Sequence, residues 1–330
     1  MEFLTADWLG TPMWFWLAFA GLVATLTVFD LGFLHKEDRE MGIGESLKLS
    51  AFYISVALLF GVWVWAEKGP ELGLAYYTGF FIEKALSIDN VFVISMIFTF
   101  FAIPPRFQYR ALLWGIMAVL VLRGGMIAGG AALVAQAHWV LYIFAAFLIG
   151  TGVKMLFSAD HAPDVGRNPV VRWISTHMRV TKEQHGEHFF VQVPDAKTGR
   201  MVTATTPLFL ALVVINLADI VFAVDSVPAI FAITTDTFIV YTSNIMAILG
   251  LRALYFALAA MVHRFHYLKY ALALVLVFIG TKIFVADFVL GGDKFPPLAS
   301  LGVTIGLIAG GMLFSLWKTG PDKVGAAAAH

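Results

Sequence analysis

Cysteine is absent from the 330 residues, which excludes disulfides and thiolate-held metals. Charge is scarce. Asp, Glu, Lys and Arg make up 13% of the chain, against about 25% in an ordinary soluble domain. Hydrophobic residues fill 60%, and the mean hydropathy is +0.83. So few charges cannot cover the surface of so apolar a soluble protein. A soluble enzyme, a nucleic-acid binder and a disordered chain are excluded. A basic region is also missing ahead of the first apolar run, where Glu2 and Asp7 stand. That run is read as a retained helix, not a signal peptide.

What the chain holds instead is apolar runs of about 20 residues, the length that crosses a bilayer core. Nine are read: Met13–Leu34, Ser46–Ala66, Leu72–Phe101, Phe107–Val134, Trp139–Phe157, Pro207–Thr234, Thr237–Val262, Tyr267–Val289 and Pro297–Trp317. The expected fold is an all-α membrane protein of nine transmembrane helices. Residues 1–70 hold two spans, 71–158 and 207–290 hold three each, 159–206 form a loop, and 291–330 hold the last span and a tail. Within the loop, an amphipathic helix is expected around Pro169–Met178. A hairpin should follow, with strands Phe189–Val193 and Met201–Thr205.

Basic residues set the orientation. With the long loop left out, one side holds Lys68 and Lys294. The other holds Lys36, Arg39, Lys48, Arg106, Arg110, Arg264, Lys269, Lys318 and Lys323. The N-terminus should therefore face outward, with the loop and C-terminus in the cytoplasm.

The chain repeats itself. Glu83–Asp89 matches Asp219–Asp225, each segment with carboxylates six apart. Gly115–Arg123 matches Asn244–Arg252, with six of nine positions identical. Gly152-Val-Lys154 matches Gly280-Thr-Lys282. The copies start three spans apart, an odd number, so they would lie in opposite senses in the bilayer. Inverted three-helix repeats around a midplane site mark secondary transporters.

The charges within the spans are Asp30, Glu83, Asp89, Asp219 and Asp225 against Lys84, Arg123, Lys154, Arg252 and Lys282. A charge at the bilayer centre costs about 3 kcal/mol or more, so each is a functional hypothesis. Lys154 and Lys282 lie near span ends and can snorkel. Helix geometry puts Glu83, Ser87 and Asn90 on one stripe and Asp219 with Ser226 on another. Asp89 and Asp225 stand about 100° to the side of these stripes. Pro228 lacks an N–H, frees the Val224 carbonyl and is expected to break its helix. Carboxylates with Asn, Ser and backbone oxygens suit hard cations such as Mg²⁺, Ca²⁺ or Mn²⁺. Met117 and Met246 are also repeat-matched, and packing explains them. The competing reading, charges that only neutralise one another as buried glue, does not account for their duplicated placement.

Val28–His35, Glu83–Val93 and Phe222–Ala232 resemble the corresponding segments of the TerC family of integral membrane proteins, including its Alx-type members. The resemblance spans almost the whole chain. It implies a bacterial inner-membrane manganese exporter related to the LysE-type superfamily, with the family's acidic positions falling on Glu83, Asp89, Asp219 and Asp225.

The expected function is Mn²⁺ export by alternating access. Glu83, Asp89, Asn90, Asp219, Asp225 and Ser226 would form the metal site. Arg123 and Arg252, with Lys84, Lys154, Lys282 and Asp30, would pair charges as the metal leaves. Crowded carboxylates can exchange a metal for protons, so proton antiport is open to such a site. No catalytic cofactor is expected, and the metal is the transported ion. The partners are that ion and the lipid bilayer; a homo-oligomer is compatible with the pattern, nucleic acid is not. Two rivals are a membrane-protein assembly or stress factor without transport, and an intramembrane aspartyl protease. The protease reading lacks a Gly-x-Gly-Asp segment in any span, so no enzyme activity is expected.

Overall fold

The computed structural model describes residues 2–34, 42–137, 139–157, 179–181, 183, 185–194, 200–258, 267–291 and 295–319, with Trp173 and Thr176. A short helix, α1 (Glu2–Thr5), and a two-strand ribbon, β1 (Asp7–Trp8) and β2 (Thr11–Pro12), precede the bundle. The bundle then runs through α2 (Met13–Leu34), α3 (Ile43–Lys68), α4 (Pro70–Phe100), α5 (Pro105–Gln136) and α6 (Val140–Phe157). The hairpin β3 (Phe190–Pro194) and β4 (Met201–Thr205) interrupts it. It resumes as α7 (Pro207–Phe231), α8 (Thr237–Leu249), α9 (Leu251–Leu258), α10 (Leu268–Phe288) and α11 (Pro297–Lys318).

Local chemistry sets the helix boundaries. Gly69 has φ of 88°, which reverses the chain between α3 and α4, and Pro70 then starts α4 where a missing N–H costs nothing. Thr206 caps α7 ahead of Pro207, its hydroxyl accepting from Phe209 N at 3.4 Å. Asp236 caps α8 by accepting from Ile239 N at 3.0 Å and pairs with Lys68 at 3.0 Å. The anion sits at the helix N-terminus, where the dipole favours it.

Among the described residues, seven helices are long and apolar enough to cross a membrane, and eight spans result if α8 and α9 count as one. The remaining long helix is α4, with 31 residues. Its Glu83, Lys84 and Asp89 keep it out of the purely apolar class. The chain is an all-α, multi-pass membrane protein.

Two expectations about breaks are corrected. The span expected as Thr237–Val262 bends by 41° between α8 and α9, at Gly250, whose N–H bonds only to the Ile248 carbonyl. Conversely, α7 passes through Pro228 to Phe231 without a break. Pro228 lies so near the end that the helix loses little by the missing N–H. The hairpin's second strand falls where expected and its first runs one residue later than expected, with Phe190 opposite Thr205 and Pro194 opposite Met201. The proposed turn at Asp195–Gly199 and most of the Pro169–Met178 helix lie outside the described residues.

The helices pair crosswise: α4 packs on α8, α5 on α7, and α6 on α10. The α6–α10 contact is reciprocal. A Cβ on Gly152 would lie 2.6 Å from the Ala273 carbonyl oxygen, and one on Gly280 would lie 2.6 Å from that of Ala145. Each glycine lets the partner backbone approach, as small residues do in membranes. Gly152→Ala and Gly280→Ala should each destabilise the chain by about 1–3 kcal/mol through overpacking. Thermal melting in detergent checks this. Gly129→Ala, with open space at its Cβ, should leave the midpoint unchanged or raise it.

The hairpin sits at one end of the bundle, over the first turns of α5 and α7. Arg110 pairs with Glu187 at 3.4 Å, and Phe190 packs on Phe209. This end of the bundle is its hairpin end. The final turns of α2 and α4 and the first turns of α3 lie towards it.

Candidate functional site

The centre of the bundle holds a guanidinium ringed by oxygens. Arg123 extends from α5, and its side chain is 1% exposed. Its Nε and Nη2 donate to Asp219 Oδ2 and Oδ1 at 3.1 and 3.0 Å, the bidentate fork that suits a carboxylate. Its Nη1 donates to Glu83 Oε1 on α4, to Ser226 Oγ at 3.0 Å and to Asn244 Oδ1 at 3.2 Å. Asn244 Nδ2 in turn donates to Glu83 Oε2 at 3.1 Å. The cluster thus draws on α4, α5, α7 and α8. Asp219 and Ser226 reach it together because seven residues are two helical turns.

Formal charge at this centre does not cancel. Glu83 and Asp219 bring two negative charges, Arg123 one positive. Buried ions need such pairing, since desolvation costs several kcal/mol per ion. Lys84, next to Glu83, is near enough to interact with it electrostatically. Its ammonium donates to the Ala247 carbonyl at 3.1 Å, close to the bend at Gly250.

The other charged residues stand apart from this ring. Asp225 turns towards α6 and accepts from Thr151 Oγ1 at 3.3 Å, with Lys154 in electrostatic range. Six residues along α7 turn it about 120° away from Asp219. Asp89 and Asn90 lie on α4 one to two turns nearer the hairpin end. The Asp89 side chain lies outside the described residues. Asn90 is buried and lines a cavity of about 20 Å³ that reaches Asp219 between α4, α5, α7 and α9, room for about one water-sized group. Lys282 donates to Ser300 Oγ at 3.4 Å.

Arg252 corrects an expectation. Its match to Arg123 suggested that it faces the same carboxylates from the opposite side. It pairs instead with Asp30 on α2 and lies over the Tyr109 ring at 4.3 Å. The bend at Gly250 carries α9 off the line of α8, and a carboxylate from outside the repeats meets the guanidinium there.

Sequence reasoning missed Asn244, Thr151 and Tyr109. Asn244 had a signal: a buried amide in an apolar span, opening the repeated segment that ends at Arg252. Thr151 and Tyr109 had none, because long-range contacts place them. Among the described residues, no three His, Asp or Glu side chains gather closely enough to share an ion. The centre offers two carboxylates, a hydroxyl and an amide carbonyl.

Residues 68–323 match the family described as "Integral membrane protein TerC family". An "Uncharacterized membrane protein" of Rickettsia bellii is 45% identical over 301 residues, 91% of this chain and 96% of that one. "Uncharacterized membrane protein STKORF319" of Myxococcus xanthus is 44% identical over 92% of each chain. "Putative membrane-bound redox modulator Alx" of Escherichia coli is 42% identical over 318 residues, 93% of this chain and 95% of that one. No solved structure matches. With the family matched over most of its length, this chain belongs to the TerC family of integral membrane proteins.

Proposed function

We propose that the chain exports a divalent metal cation, Mn²⁺ above all, across a bacterial inner membrane. One observation carries the reading: five side-chain oxygens from three helices converge on the Arg123 guanidinium. A cation that displaces Arg123 meets two carboxylates, a hydroxyl and an amide carbonyl already in place. Such an all-oxygen set suits hard cations. Arg123 then acts as the resident counter-charge, held when the metal has gone and turned aside when it arrives. The sequence-matched helices around it fit alternating access by inverted repeats.

Residues outside the ring give the path its direction. Asp89 and Asn90 lie towards the hairpin end of the centre, and Asp225 towards the opposite end. In this reading the cation passes Asn90 through the cavity beside Asp219, reaches the ring and leaves past Asp225. The Arg252–Asp30 and Lys282–Ser300 contacts brace the helices that move.

Inside-out vesicles offered Mn²⁺, Ca²⁺, Mg²⁺ and Zn²⁺ separately test the function. Mn²⁺ should accumulate, and Zn²⁺ should not. Vesicles that move none of the four refute the proposal. Orientation has its own check. Gln192 is exposed on β3, and Gln192→Cys adds the one thiol of the chain. An impermeant thiol reagent outside intact cells should leave it unlabelled, while inverted vesicles should label fully. Labelling in intact cells would reverse the topology. Met117→Leu and Met246→Leu should leave transport near its original rate.

A further inference from the structure

The oxygens around Arg123 do not choose among hard cations. Mg²⁺, Ca²⁺ and Mn²⁺ all take carboxylate and carbonyl oxygens. The approach to the ring is built differently from the ring itself.

Three helical stripes join the ring to the cavity at Asn90, each with the spacing i, i+4, i+7, i+11 that keeps side chains on one face. On α4 the stripe is Glu83, Ser87, Asn90 and Ile94. On α5 it is Leu112, Ile116, Val119 and Arg123. On α7 it is Ile215, Asp219, Phe222 and Ser226. Glu83, Asp219 and Ser226 meet Arg123 in the ring. Towards the hairpin end the same stripes carry Ile94, Leu112 and Ile215, all buried. Among the described residues that line the cavity, Asn90 and Asp219 alone are polar. A cation coming from the hairpin end therefore meets apolar walls first and most of its oxygens last.

Size adds to this. The cavity holds about 20 Å³, space for about one water. A divalent cation in solution carries about six oxygens from water around it, so it enters with nearly all of them removed. The oxygens that repay the loss lie beyond Asn90, in the ring. The barrier thus depends on how hard an ion holds its water. Mg²⁺ dehydrates reluctantly and keeps several waters even when bound. The larger Mn²⁺ holds its waters from a greater distance and so more loosely.

Gly115 lines this cavity. Its match in the repeat, Asn244, fills the ring with an amide. A Cβ on Gly115 would meet Ile215 Cγ2 and Leu212 Cδ1 at 3.7 Å each, which is ordinary contact. Packing between α5 and α7 therefore does not demand glycine there, unlike Gly152 and Gly280 between α6 and α10.

We propose that the apolar cavity is a dehydration filter, its width kept by Gly115, that admits Mn²⁺ and turns Mg²⁺ away before either reaches the ring. Apolar constrictions gate channels in a related way, by dewetting. The proposal rests on the transport reading and adds the selectivity of its site.

Inside-out vesicles offered Mn²⁺ or Mg²⁺ at equal concentration give the ratio of the two uptake rates. The unaltered chain should take up Mn²⁺ at least about tenfold faster. Ile116→Ala widens the cavity at a half-buried position and should raise Mg²⁺ uptake relative to Mn²⁺ about tenfold. That ratio is read on whatever protein folds, so a loss of folded material does not move it. Gly115→Ala should slow Mn²⁺ uptake about tenfold with the melting midpoint in detergent unchanged, a combination that a packing role would not give. Equal rates for the two ions in the unaltered chain overturn the filter and leave transport standing. So does an Ile116→Ala ratio equal to that of the unaltered chain, which assigns the choice of ion to the ring. Gly115→Ala uptake of Mn²⁺ at the original rate overturns the part given to Gly115. Vesicles that move neither ion refute the transport reading, and the filter falls with it.

Discussion

Arg123→Gln should be the most destabilising single change in the centre, by about 3–5 kcal/mol, the cost of stranding a buried charge. The guanidinium makes five hydrogen bonds to four residues. Without it, Glu83 and Asp219 face each other across a ring with no cation. Gln offers two N–H groups and no charge. Arg123→Lys should also fall short, since a compact ammonium cannot span Asp219 with a fork while reaching Glu83, Ser226 and Asn244. Thermal melting in detergent measures both. The decisive comparison is Arg123→Gln in an Asp219→Asn background. There the stranded charge is halved, so the second change should cost far less than it does alone. Additive losses would show that the carboxylates and Arg123 do not act as one unit.

Much of this was legible in the sequence, for reasons that can be named. Length and composition force bilayer-spanning helices, and helical periodicity puts Asp219 and Ser226 on one stripe and Asp225 off it. The structure has Asp219 on Arg123 and Asp225 on Thr151. The repeat marks Glu83, Asp89, Asp219 and Asp225 together with Arg123 and Arg252, and of these the structure brings Glu83 and Asp219 to Arg123. Where reasoning along one helix ran out, it was tertiary. Arg252 follows the same local pattern as Arg123 but finds Asp30, because α2 has no repeat partner and lies against α9's side of the bundle. The bend came at Gly250, where the helix has the weakest backbone preference, not at Pro228, which lies within a turn of its helix end. Asn244 completes the ring from a position where its repeat match, Gly115, carries no side chain. Of the two sequence-matched arginines, only Arg123 reaches the centre.

That asymmetry makes Glu83→Gln the sharpest test of the export reading. Glu83 is fully buried and accepts from both Arg123 and Asn244. Gln preserves its size and one acceptor oxygen but removes its charge. With Asp219 alone, the ring becomes neutral around Arg123, and nothing then favours exchanging the guanidinium for a divalent ion. Mn²⁺ export should fall at least about 100-fold, beyond what loss of a group supporting a metal ligand costs, while the protein still reaches the membrane. Removing the mutual repulsion of two carboxylates should also leave melting unchanged or raised, opposite in sign to Arg123→Gln. Asp225→Asn should reduce export less, because its carboxylate stands outside the ring on Thr151. Vesicle transport and melting curves for the three variants together separate the possibilities. A Glu83→Gln protein that exports Mn²⁺ normally would leave the ring as a packing device, and the cation would have to cross elsewhere.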